Sequence, residues 1–119
     1  EELISSNKNI EKKFYYLDYL DKNKFAEIEK LKRINEINAE FDRQCSKVGI
    51  DFEGNKFQYD DTSRSRLAET KDDARVTFWR SVDNKNISLT NVKKNSLYKV
   101  LIDTYYTEFA KKSQVIDGL

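Results

Sequence analysis

A chain of 119 residues, 38% hydrophobic and 36% charged, supplies one modest core and buries about two-thirds of its unfolded surface on folding. Its formal net charge of +1 argues against duplex binding, which draws on a concentrated positive patch. With no histidine and a single cysteine, the chain has no imidazole base, no His-containing zinc site and no intrachain disulfide.

Residues 1–23 read as an N-terminal segment, on this reading the end of a longer protein, ahead of a single domain at 24–119. The absence of methionine and the Glu-Glu start fit a processed chain or a fragment. Residues 1–13 are polar and expected to fray. The aromatic run FYYLDYL, Phe14 to Leu20, fits either a strand or the first turns of a helix.

From about Lys24 to Val48 the spacing predicts a helix. Phe25, Ile28, Leu31, Ile34, Ile37, Phe41, Cys45 and Val48 step by three or four residues and read as one continuous apolar stripe. Gly49 is the expected left-handed terminator. Cys45 falls in the stripe as a small core residue, with no neighbouring base to make it a reactive thiol.

IDFEGNKFQY, Ile50 to Tyr59, predicts a hairpin. A two-residue Gly54-Asn55 loop pairs Phe52 with Phe57 and Ile50 with Tyr59, which puts four apolar side chains on one face. Asp60 to Ala74 reads as a short helix capped by Asp61 or Thr62, with Leu67 its only large apolar residue. Asp72 and Asp73 stand near its C-terminus, where the helix dipole disfavours them.

VTFWRSVDNKNISLT, Val76 to Thr90, predicts a second hairpin. An Asn84-Lys85 loop pairs Val82 with Ile87 and Arg80 with Leu89, and gathers Val76, Phe78, Val82, Ile87 and Leu89 on one face. Trp79 then points the other way, either under a helix or partly into solvent. Thr90 caps a last helix from Asn91 to about Val115. The expected fold class is α+β: two antiparallel hairpins packed against two long helices, in the order helix, hairpin, short helix, hairpin, helix.

The chemistry left is sparse. Three glycines serve as punctuation, so no phosphate-cradling loop remains, and the acid-rich stretches lack calcium-loop spacing. Asp60-Asp61 or Asp72-Asp73 brought near Glu53 would offer paired carboxylates, the only opening for a hydrolase. No enzyme activity, catalytic residue, cofactor, metal, small-molecule ligand or membrane partner is expected. Seven tyrosines, seven phenylalanines and one tryptophan exceed what a small core needs. Phe14, Tyr15, Tyr16, Tyr19 and Trp79 are therefore the candidate partner-binding residues, since such side chains dominate interface hot spots. The alternative for the first four is folding back onto the domain.

One resemblance covers about Lys32 to Leu119. Ile37, Asn38, Phe41 and Cys45 are similar to an "IN..F...C..G" helix, with Gly49 one residue beyond the glycine of that pattern. Phe52, Gly54, Phe57, Gln58 and Asp60 are similar to "F.G..FQ.D". Thr77, Trp79, Asp83, Asn84, Leu89 and Thr90 are similar to "T.W...DN....LT". The closing Ala110-Lys111-Lys112 also fits. Together these resemble a small domain found in bacteriophage and prophage tail genes, beside tail-fibre and fibre-assembly proteins. The resemblance implies a non-enzymatic role, in the virion or in the host cytoplasm during assembly, with another tail or fibre protein as partner. Residues 1–31 carry none of it. Self-association through the long helices is a separate expectation. The alternative function is nucleic-acid binding through Lys93, Lys94, Lys99, Lys111 and Lys112.

Overall fold

The structure, a computed structural model, describes the backbone of residues 2–119 and the side chains of residues 21–119. Its elements run α1 (Glu2–Arg43), a π turn (Gln44–Val48), β1 (Ile50–Phe52), β2 (Asn55–Phe57), α2 (Asp61–Thr70), β3 (Phe78–Arg80), β4 (Asn86–Ser88) and α3 (Asn91–Asp117). The fold is α+β, with helices and two separate two-stranded antiparallel sheets in the expected order. The chain divides into two units, Glu1–Glu36 and Ile37–Leu119.

The helix expected from Lys24 begins at Glu2, so FYYLDYL is helical backbone and not a strand. The predicted continuous stripe does not hold. A three-residue step on an α-helix turns back by about 60°, so repeated threes walk around the cylinder. Phe25 therefore lies on the side of α1 opposite Ile34. Ile34, Ile37, Phe41 and Cys45 are half-buried or buried, whereas Phe25, Ile28 and Leu31 are exposed.

At Gln44 the helix widens. The Gly49 amide donates to the Gln44 carbonyl at 2.8 Å, an i to i−5 bond. Gly49 ends the turn at φ 73°, ψ −171°, a region open essentially to glycine alone. A Cβ there would meet the Phe57 carbonyl oxygen at 2.5 Å and Val82 Cγ2 at 2.8 Å. The expected positive φ is present, but the geometry is extended rather than left-handed helical.

The first hairpin turns one residue earlier than predicted. Ile50 faces Phe57 and Phe52 faces Asn55 across a Glu53-Gly54 loop. Both loop residues have positive φ, 51° and 88°, as a type I′ turn requires. Moving the loop by one residue shifts the pairing by two, so face parity survives. Phe57 and Tyr59 are buried, Ile50 and Phe52 half-buried, on one side. Tyr59 leaves the ladder, and its amide donates instead to the Cys45 carbonyl at 2.8 Å.

Helix α2, Asp61–Thr70, is capped earlier and stops earlier than expected. Its cap is Asp60, whose carboxylate accepts from the Ser63 amide at 2.9 Å, not Asp61 or Thr62. It ends at Thr70, so Asp72 and Asp73 lie beyond the helix in a loop. Leu67 alone anchors it, fully buried.

In the second hairpin the predicted face is inverted on β3 and kept on β4, where Ile87 and Leu89 pack inward as expected. Phe78 pairs with Ser88, Trp79 with Ile87 and Arg80 with Asn86. The Ser81 amide donates to the Lys85 carbonyl and the Leu89 amide to Thr77, which leaves a three-residue tip, Val82-Asp83-Asn84. Asn84 takes φ 66°, the left-handed position that closes such loops and that Asn tolerates. An odd loop reverses parity, so Trp79 and Ile87 face the core while Phe78 is 55% exposed. Thr90 caps α3 as expected, accepting from the Lys93 amide at 3.2 Å.

The core gathers Cys45, Phe57, Tyr59, Leu67, Leu89, Leu97 and Leu101. Each buried aliphatic or aromatic side chain there contributes about 1.5–3 kcal/mol of transfer free energy. Small as this set is, it draws on the π turn, β2, α2 and α3, while Phe41 of α1, Ile50 and Phe52 of β1, Trp79 of β3 and Ile87 of β4 flank it.

Candidate functional site

Of the five predicted partner-binding residues, the side chains of Phe14, Tyr15, Tyr16 and Tyr19 lie outside the described set. Trp79 is half-buried and packs on the core. Its remaining edge lines an open cleft of about 590 Å³ with Gln58, Ser63, Arg66 and Arg80.

A second aromatic group, which joins Phe41 of the α1 stripe to three rings of α3, stands out. Phe41 and Tyr105 meet edge-on at 5.5 Å, Tyr105 stacks with Phe109 at 6.0 Å, and Tyr106 meets Tyr105 edge-on at 5.5 Å. Phe41 comes from the end of α1 and the other three from one turn of α3. The core-facing side is braced by Arg64, whose guanidinium lies 3.4 Å from the Tyr105 ring centre and donates through Nε to the Tyr59 carbonyl at 3.1 Å. Its side chain also pairs with Asp61. Lys112 Nζ lies 4.3 Å from the Phe41 ring centre and 4.8 Å from that of Phe109. The outer members stay open: Tyr106 is 60% and Phe109 42% exposed. Flat rings fixed by neighbours and left facing water are preorganised contact area, because little side-chain entropy remains to be lost on binding.

Cys45 and Tyr59 are both buried in the core. Burial pushes the Cys45 thiol up to about 11, with the nearby Asp42 carboxylate adding to it. Burial likewise pushes the Tyr59 phenol up to about 12. The thiol is therefore protonated at neutral pH and a poor nucleophile.

The carboxylates considered for a hydrolase all have local partners. Asp60 caps α2 and Asp61 pairs with Arg64. Asp72 accepts from Asn95 at 2.8 Å and from Lys71 at 3.1 Å. Asp73 binds Arg75 through the side chain at 2.8 Å and the backbone amide at 2.9 Å, which holds its carboxyl at about 2. Glu53 pairs with Lys93 at 2.9 Å. Among the described residues no cluster of three His, Cys, Asp or Glu side chains is placed to hold a metal.

The lysines proposed for nucleic acid are also largely committed. Lys94 is fully buried, and its ammonium donates to the carbonyls of Thr70, Asp73 and Val76 at 3.0, 2.7 and 2.6 Å. Nothing in the local sequence marks it, since a lysine on a helix normally reads as solvent-facing. Lys93 pairs with Glu53 and Lys111 with Glu108 at 3.2 Å, while Lys112 covers aromatic rings. Lys99 is exposed.

No protein-family model, no curated protein and no solved structure matches this chain. No helix among the described residues is long and apolar enough to cross a membrane.

Proposed function

We propose that this chain is a phage or prophage tail or tail-fibre accessory module, a non-enzymatic protein that acts by binding another polypeptide. The tail assignment is supported by the ordered motifs from Ile37 to Thr90. Their residues also have clear structural work in this fold, as in the positive φ of Gly49, the burial of Phe57 and the turn at Asn84. The binding mode is supported by one observation above all: the preorganised, open aromatic group of Phe41, Tyr105, Tyr106 and Phe109. A protein partner is favoured over nucleic acid because the cations beside these rings are already satisfied within the molecule.

Co-expression with phage tail and tail-fibre proteins, followed by pull-down, tests the reading. A stoichiometric complex is expected, and Tyr106→Ala with Phe109→Ala should weaken it at least about tenfold, as loss of two aromatic anchors does elsewhere. Failure to capture any tail or fibre product, or a complex indifferent to that double substitution, would overturn it.

A further inference from the structure

The first unit poses a separate problem. Phe25, Ile28 and Leu31 are each more than half exposed on a continuous helix, and single helices in water owe most of their stability to packing of an apolar face. Ile28 and Leu31 fall on a seven-residue repeat that continues upstream in the sequence. Taking Ile28 as a and Leu31 as d puts Leu3, Ile10 and Leu17 at d and Phe14 at a. The a and d series is interrupted by Asn7, Asp21, Lys24 and Asn35. Polar residues at such positions specify register at some cost in stability. Asn7, Asp21 and Asn35 recur every fourteen residues. Asp21 and Lys24, in neighbouring layers, carry opposite charges.

The flanking positions decide what the seam fits. In a parallel pair, position g of one helix meets position e of the next heptad on the other, five residues on. Here the g-to-e pairs are Ser6 with Glu11, Lys13 with Asp18, Leu20 with Phe25, and Glu27 with Lys32. Three of the four are complementary, two by opposite charge and one apolar against apolar, and the fourth sets a neutral serine against a glutamate without like-charge repulsion. A helix whose own g and e residues match in this order is complementary to itself. We infer that α1 forms a parallel, in-register coiled coil with a second copy of this chain, through Leu3 to Leu31. Tyr15, Tyr16 and Tyr19 fall at b, c and f, off the seam. The inference does not depend on the tail reading, since it concerns this chain alone.

Sedimentation equilibrium of the full chain at a series of concentrations tests it. Mass above the 14.1 kDa of one chain is expected, reverting to one chain in Ile28→Asp/Leu31→Asp. Glu27→Lys and Lys32→Glu should each weaken association about tenfold, because two symmetry-related pairs turn repulsive at once. The double swap should restore association, as only self-pairing in this register allows. Oxidised I28C should cross-link to itself. Slow reaction of the buried Cys45 thiol in every variant will show that the second unit is still folded. A single-chain mass at all concentrations overturns the inference. So does association that the charge variants leave unchanged, a swap that fails to restore it, or an associated sample in which I28C does not cross-link.

Discussion

Trp79 stands directly across the second hairpin from Ile87, and its neighbour Phe78 stands across from Ser88. This one-residue choice of register sends the indole to the core and the phenyl ring outward. Trp79→Ala should therefore cost about 3–5 kcal/mol, as large-to-small core changes do. Phe78→Ala, at an exposed site, should stay within about 1 kcal/mol. Urea unfolding of the two variants checks the order, and the reverse order would mean the predicted two-residue loop after all.

Lys94 holds the loop between α2 and β3 by three carbonyls, one of them Thr70, the last residue of α2. An ammonium at that helix end also opposes the negative pole of its dipole. Lys94→Met keeps the volume and removes every donor, leaving three carbonyls short of a partner. A loss of about 3 kcal/mol is expected, in line with buried groups left unsatisfied. Equilibrium denaturation should show this, and trypsin should cut sooner at Arg75 in the released loop.

Gly49→Ala places a methyl group where the Phe57 carbonyl and Val82 already sit, at a φ of 73°. The strain and overpacking together should cost about 3 kcal/mol. Gly54 also has positive φ, 88°, but open space around it, so Gly54→Ala should cost clearly less. Thermal melts of the pair separate steric conflict from backbone strain.

The Cys45–Tyr59 pair predicts an alkaline limit to stability. Both groups keep their protons to higher pH in the folded chain, about 11 and 12, than their ordinary values of 9.0 and 10.0. Below about pH 8 both are protonated in either state and their contribution is constant. Above it the unfolded chain binds fewer protons than the folded one, so stability falls as pH rises toward 12. The melting temperature should hold from pH 7 to about pH 8 and then drop, and Tyr59→Phe should shallow that drop. A thiol reagent at pH 8 should modify Cys45 only once the chain is unfolded.

Patterns that rest on parity or capping chemistry were readable from the residues, and those that rest on competition were not. The first hairpin's apolar face was legible because any even loop preserves it, although Gly54 serves as the second turn residue rather than the first. The second hairpin failed on the same criterion. Grouping Val76, Phe78 and Val82 favoured an even loop, whereas Asn84 could supply a left-handed residue and let an odd loop bury the larger indole. Helix α1 was misread at Phe25 because three-residue spacing was counted without its accumulated rotation. The aromatic surface of α3 was visible as composition but not as a site, since Arg64 and Lys112, which fix the rings, come from other turns of the fold. Lys94 gave no local sign, as its three acceptors lie 18 to 24 residues away in sequence.

The enclosed amine of Lys94 also makes the molecule its own gauge. Acylating reagents that label surface amines within seconds should leave this one untouched until the 70–76 segment swings away. The rate at which Lys94 becomes labelled, read by mass spectrometry with no probe added, would report how often that segment opens and whether a bound partner clamps it shut.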